Sequence, residues 1–247
     1  MKLLLDVGNT SVKWGVCNTG AIEKSDCFMY RGKDVLALAD QSWSELRTPS
    51  AVYIANVGGE QLQQQLSGWI GARWDITPVF LTATAAACGV SNAYKIPAKL
   101  GVDRWAALVA AHHDSPGASC VIDCGTAITL DLLDATGRHR GGMILPGSGM
   151  LQQLLLQNTA ISSEARPLQA ASLFSVATED AVNSGSLYMA AATIDRVVAE
   201  MATELDTRLQ LLITGGDAGR IQTLLACSVR HDPELVLKGL AMLAGEY

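Results

Sequence analysis

The sequence predicts an α/β protein of two similar lobes. Three observations carry that expectation. A strand–turn–strand pattern opens the chain, a near copy of it recurs mid-chain, and alternating helical and strand-like segments follow each copy. The first copy is LLLDVGNTSVKWGVC. An apolar run meets a polar turn, and alternation resumes at Val12, Trp14 and Val16. Period-two alternation after a Gly-Asn turn signals a hairpin. The second copy, CVIDCGTAITLDLLD, runs from Cys120 to Asp134 and alternates at Ile128, Leu130 and Leu132. Asp6 and Gly8 of the first match Asp123 and Gly125 of the second.

The remaining elements follow in order. Each hairpin is expected to gain a third strand. Ala51–Val57 reads as a strand and Gln61–Trp69 as a helix. Leu100–His113 reads as a second helix, with Leu100, Ala107, Leu108 and Ala111 on one buried stripe. In the second half, Met150–Gln157 is helical, and Glu179–Leu205 forms a long helix with a kink expected near Gly185. Leu209–Thr214 is a strand, and Asp217–Ala226 a helix after a Gly-Gly turn. A last helix is signalled by Asp232 as N-cap and Pro233 at its first position. The lobe boundary is expected at Asp114–Gly117, giving lobes 1–115 and 116–247.

Composition narrows the function. The chain has 247 residues, 49% of them hydrophobic, which excludes a disordered protein. Its 18 Lys and Arg are outnumbered by 24 Asp and Glu, for a net charge of -6, and no basic run stands out to neutralise nucleic-acid phosphates. No run of about 18 apolar residues is long enough to span a bilayer. Six cysteines stand at positions 17, 27, 88, 120, 124 and 227 without a CxxC pair. They are expected to be small, buried, reduced thiols, which places the chain in the cytosol.

Several motifs carry chemistry. In DVGNT, a glycine turn lets backbone N–H groups approach phosphate oxygens, while Asn9, Thr10, Ser11 and Lys13 add donors and positive charge. Asp6 repels phosphate but suits the Mg²⁺ that travels with ATP. An ordinary Asx-type turn is the alternative. DCGT repeats the logic, with Thr126 as the phosphate donor, and the duplication favours a nucleotide site. There is no GxxxxGK[ST], so a P-loop is excluded. GSGMLQ at Gly147 only partly matches a dinucleotide motif. In ITGGDAGRI, Gly215 and Gly216 allow close approach of an adenine or ribose, or form a tight turn with Asp217 as N-cap. In GVDR, Asp103 suits a base that accepts a hydroxyl proton, and Arg104 a carboxylate or phosphate clamp. A dipole-stabilised helix acid beside a solvated Arg is the plainer reading. Thr178 reads as an N-cap. The four histidines show neither metal spacing nor triad logic.

Together, DVGNTSVKWG, GVDRW, DCGTAITLD, GGMILPGSGM, TEDAVNSG and ITGGDA resemble, in type and order, the type III pantothenate kinases. The resemblance covers nearly the whole chain, although Ala160–Ala171 lacks the Leu-Pro pair of the family. It implies two duplicated ribonuclease-H-like lobes with a nucleotide cleft between them, as in the superfamily of acetate and sugar kinases, heat-shock chaperones and actin. It implies transfer of the ATP γ-phosphate to pantothenate, the first step of coenzyme A synthesis, using Mg²⁺ and a monovalent cation, K⁺ or NH₄⁺. A homodimer is implied too, while the composition itself points to a cytoplasmic protein with no nucleic-acid or membrane partner. By the same resemblance, Asp6, Val7, Gly8, Asn9, Thr10, Ser11, Val12 and Lys13 form the first phosphate loop, and Thr126 also binds ATP. Asp123 binds the monovalent cation and Asp103 is the proton acceptor. Tyr94, Gly101, Val102, Asp103, Arg104 and Thr178 contact pantothenate. Two alternatives stand beside this: a regulatory accessory protein for transcription, and another small-molecule kinase of the superfamily.

Overall fold

The structure, a computed structural model, describes residues 1–18, 20–114, 117–161 and 170–245. Ser115 and Pro116, at the expected lobe boundary, and most of the Ala160–Ala171 segment lie outside the described residues. The chain forms two compact units. One comprises Met1–Asp114 together with Glu234–Tyr247, the other Ser115–Pro233.

In the first unit, β1 (Lys2–Val7), β2 (Ser11–Asn18) and β3 (Ala21–Met29) form the expected meander. Helix α1 (Val35–Trp43) follows, then β4 (Ala51–Asn56), α2 (Glu60–Trp74) and the short β5 (Val79–Phe80). The sheet order is β3-β2-β1-β4-β5, with β1 antiparallel to β2 and parallel to β4. Leu3, Leu5 and Val7 project from one face into a core with Val12, Trp14, Val52 and Ile54. Helix α2 closes that core with Leu62, Leu66, Ile70 and Trp74, each one turn apart. Helix α1 is set by Asp34, whose carboxylate accepts from the Leu36 and Ala37 N–H groups at 2.9 and 3.4 Å. A small hairpin, β6 (Ala86–Ala87) and β7 (Val90–Ser91), precedes α3 (Val102–Asp114). Helix α3 is buried from Val102 through Ala111 except at Asp103, a wider buried surface than the single stripe expected.

The second unit repeats the plan. Strands β8 (Ser119–Cys124), β9 (Ala127–Leu133) and β10 (His139–Pro146) form the meander, followed by α4 (Ser148–Asn158) and α5 (Thr178–Glu204). Then come β11 (Gln210–Thr214), α6 (Ala218–Ile221) and β12 (Arg230–His231). The order β10-β9-β8-β11-β12 is that of the first sheet, strand for strand. Cys120, Ile122, Cys124, Ile128, Leu130 and Ile213 fill its core beneath Leu187, Ile194 and Val198 of α5. The ribonuclease-H-like duplication expected from the two hairpins is therefore present.

Helix α5 runs through Gly185 as the one long helix expected. Several other elements differ from expectation. The helix expected over Asp217–Ala226 ends early: α6 gives way to a 3-10 turn at Gln222–Leu224. The Asp195 carboxylate accepts the Ala226 and Cys227 N–H groups and redirects the backbone there. The last helix, α7 (Leu235–Leu243), starts after Glu234 rather than Asp232: Asp232 still runs beside the sheet, its N–H bonded to Ile213 O at 2.9 Å, and Pro233 and Glu234 form a turn before the helix begins. Moreover, α7 groups with the first unit, whereas the sequence placed residues 116–247 together in the second. It packs on α3 so closely that a Cβ on Gly239 would lie 1.8 Å from Ala106 O.

All six cysteines are free, but only Cys17, Cys120 and Cys124 are buried; Cys27 and Cys88 are exposed. Burial pushes the Cys120 thiol up to about 12. Among the described residues no helix is long and apolar enough to cross a membrane.

Candidate active site

In the first unit, β1 and β2 pair through Val7 and Val12, leaving Gly8–Ser11 as the connecting turn. The Gly8 N–H donates to Ser11 O at 3.0 Å, so this amide is spent inside the turn, and the remaining donors sit at Asn9, Thr10 and Ser11. Asn9 is exposed, while Asp6 is 9% exposed and stands across the strands from Lys13. A neighbouring side chain fixes the turn. The Tyr30 phenol donates to Gly8 O at 2.6 Å and its backbone N–H to Thr10 O at 3.0 Å. Desolvation raises the Tyr30 pKa, which keeps the phenol a donor. The β4–α2 connection lies alongside: Val57 N–H donates to Val7 O at 2.9 Å, and Asn56 braces Gly58 and Gly59 through its amide.

The second unit holds the matching turn one residue shorter. Cys124 pairs with Ile128, and the Gly125 N–H donates to Ala127 O at 3.1 Å. Two later segments clamp it. The Gly147 N–H donates to Thr126 O at 3.1 Å and the Asp217 N–H to Cys124 O at 2.9 Å. The Ser148 hydroxyl bonds the Asp217 carboxylate, joining the two clamps. Arg220 extends the network to Asn183 of α5 at 2.6 Å. Gly147 thus serves as the N-cap of α4 and as a brace for Thr126, not as part of a dinucleotide motif. Gly215 has φ +99°, and a Cβ there would lie 2.5 Å from Asp123 Oδ1, so only glycine lets this turn rest against the carboxylate. Burial, with the charges of Asp123 and Asp217, raises the Cys124 thiol.

Asp123 is the middle of a row. It pairs in register with Thr129 of β9 on one side and Thr214 of β11 on the other. All three lie on the sheet face opposite the core residues Cys124, Ile128 and Ile213. Thr214 is 0% exposed, and its hydroxyl has no hydrogen-bond partner. Among the described residues no three His, Cys, Asp or Glu side chains stand together as a metal cluster.

Tyr94 and GVDR come together at the head of α3. The Gly101 carbonyl accepts the Trp105 N–H at 2.9 Å, which starts the helix and leaves Asp103 in its first turn. The Asp103 carboxylate accepts the Arg104 N–H at 2.8 Å. Arg104 is not solvated but 7% exposed, donating to the Tyr94 phenol at 3.0 Å with its guanidinium 5.9 Å from the ring centre. Asn92 holds Tyr94 in place by accepting its N–H at 3.0 Å. Thr178 is exposed and is the first residue of α5, not its cap; Ala177 occupies that position.

Sequence reasoning missed Tyr30, the Asn56–Gly59 connection and Ser148. Paired glycines after a strand, the signal read at Gly215–Gly216, were equally visible at Gly58–Gly59. Tyr30 carried no signal, because its partner is a backbone carbonyl.

The family profile described as type III pantothenate kinase matches residues 2–200. A type III pantothenate kinase of Nitrosococcus oceani is 42% identical, over 99% of this chain and 94% of that one. Another, of Halorhodospira halophila, is 36% identical over 97% and 96%. Among solved structures, the (R)-2-hydroxyglutaryl-CoA dehydratase component A of Acidaminococcus fermentans shares the fold with a TM-score of 0.58. It is 13% identical, over 99% of this chain and 98% of that one.

Proposed function

The chain belongs to the type III pantothenate kinase family, and we propose on that premise a role for each element of the site. The reaction is phosphoryl transfer from ATP to pantothenate, opening coenzyme A synthesis. The observation that carries the assignment of roles is the duplicated Asp-Gly turn, at the same sheet position in both units.

The Asp6–Lys13 turn and Thr126 hold the ATP phosphates through backbone N–H groups, hydroxyls and the Lys13 charge. Asp6 and its neighbours fit a hard divalent cation, since a carboxylate beside polar turn groups is the donor set Mg²⁺ takes, with water completing its shell. When bound, that ion neutralises charge on the transferring phosphoryl group. Asp103 orients the primary hydroxyl of pantothenate and receives its proton. Arg104, held by Tyr94, binds the carboxylate of the substrate. Gly101, Val102, Tyr94 and Thr178 complete that contact. Asp123 holds a monovalent cation, K⁺ or NH₄⁺. Rate comes chiefly from positioning and from stabilising spread negative charge.

The protein acts as a homodimer in the cytoplasm. Exposed apolar side chains of the second unit, Met143 and Ile144 on β10, Met150, Leu154 and Leu155 on α4, and Met189 on α5, supply a surface for self-association. Nothing in the site favours the transcriptional alternative.

ATP turnover against pantothenate and a panel of sugars and short carboxylates tests the assignment; turnover of a sugar in preference to pantothenate would overturn it. Asp6→Ala and Thr126→Ala are expected to weaken binding of a non-hydrolysable ATP analogue on the order of tenfold, with pantothenate affinity little changed. Calorimetric titration that shows unaltered nucleotide affinity in both would reduce the repeat to a structural hairpin. Tyr30→Phe keeps the ring in the core and removes only the bond to Gly8 O. Its expected effect is a rise of roughly 3–10-fold in KM for ATP, the scale of one hydrogen bond, with KM for pantothenate unchanged. A parallel rise in both constants would show general loosening of the unit instead.

A further inference from the structure

The two sheets differ in one respect at the positions flanking their matched aspartates. In the first sheet the row reads Ala55, Asp6, Lys13; in the second it reads Thr214, Asp123, Thr129. A lysine and a methyl group in one lobe are thus replaced by two hydroxyls in the other. The Thr214 hydroxyl is completely buried and makes no hydrogen bond. Such a group is destabilising if nothing ever meets it, and native folds rarely leave one unmet. It shares a face with Asp123, whose carboxylate lies against the Gly215 turn.

We propose that Thr214 and Thr129 supply side-chain oxygens to the monovalent cation at Asp123, which takes the place that Lys13 holds in the first lobe. The inference rests on the reading of Asp123 as a cation ligand and adds the donors on either side of it. Hydroxyl and carboxylate oxygens suit a weakly hydrated alkali ion, which makes little demand on geometry. A soft metal would call for Cys or His. In the first lobe the position that matches Thr129 already carries a positive charge, that of Lys13.

Thermal unfolding of the protein without nucleotide or pantothenate, with KCl titrated against choline chloride at constant ionic strength, gives a readout independent of turnover. Wild type is expected to melt higher as K⁺ rises. Without K⁺, Thr214→Val is expected to melt at or above wild type, because the unmet hydroxyl is gone. With K⁺ the order reverses, and the variant needs on the order of tenfold more K⁺ for half its shift. Thr214→Ser should titrate like wild type. Thr129→Lys should lose its K⁺ response by carrying the charge itself; if that variant does not fold, Thr129→Val decides, with weakened K⁺ binding expected. If wild type responds and Asp123→Ala does not, yet both valine variants titrate normally, the two threonines are not ligands and Asp123 acts with other donors. If wild type shows no K⁺ response in stability or activity, the cation reading of Asp123 falls as well.

Discussion

Asp103→Asn is expected to retain nucleotide binding and to lose about 10²–10⁴-fold in phosphoryl transfer, the usual effect of removing a general base. Asparagine keeps the shape of the side chain, and its amide oxygen still accepts the Arg104 N–H that the carboxylate accepts now. The head of α3 should therefore stay in place, with Arg104 and Tyr94 still bonded. What disappears is the capacity to take a proton. Steady-state kinetics with a parallel ATP-analogue titration separates the two effects. A fall of less than about threefold would remove Asp103 from the proton path and return it to the plainer reading of an acid favoured by the helix dipole.

The second large effect is expected far from any ligand. Gly239→Ala places a methyl group where the Ala106 carbonyl oxygen stands, 1.8 Å from the new carbon. The obstacle is backbone on both sides, so no rotamer change relieves it and α7 must move off α3. Overpacking by a methylene commonly costs about 1–3 kcal/mol. A clash with backbone belongs at or above the top of that range, a sizeable part of the 5–15 kcal/mol typical of a domain. Urea unfolding should show a lower midpoint with an unchanged slope. Because α3 carries Asp103 and Arg104, kcat should fall as well, even at temperatures where the variant remains folded. A variant within about 1 kcal/mol of wild type would mean that the two helices separate with little resistance.

The parts of the fold written locally were legible. Period-two alternation on either side of an Asp-x-Gly turn identified both hairpins, and their similarity identified the duplication. The phosphate-turn residues and GVDR stood out because acidic and hydroxyl groups at strand and helix ends are conspicuous in a charge-poor chain. What escaped notice depends on partners distant in sequence. Tyr30 acts through the carbonyl of Gly8, which no side-chain pattern marks. The early end of α6 depends on Asp195, one helix upstream. The burial of Arg104 depends on a phenol ten residues earlier, beyond a 3-10 turn. Helix α7 is legible as a helix, but its place in the first unit depends on a buried face packed on α3 and the first sheet, with Gly239 against Ala106 and Leu237 beside Gly15, and nothing within its own stretch of sequence names those partners.

The return of α7 to the first unit has a consequence for how the protein is made. Chains emerge from the ribosome amino end first, and domains generally fold as units in that order. Here the order is broken. When Met1–Asp114 has left the ribosome, α3 is present but the helix that packs on it is not, and the whole of Ser115–Pro233 is synthesised before that helix. The later unit has every strand of its sheet before the earlier one is complete. Only once Leu235–Leu243 has emerged can the first unit take up α7, so the unit whose synthesis starts first is joined by this helix after the strands of the later unit are made.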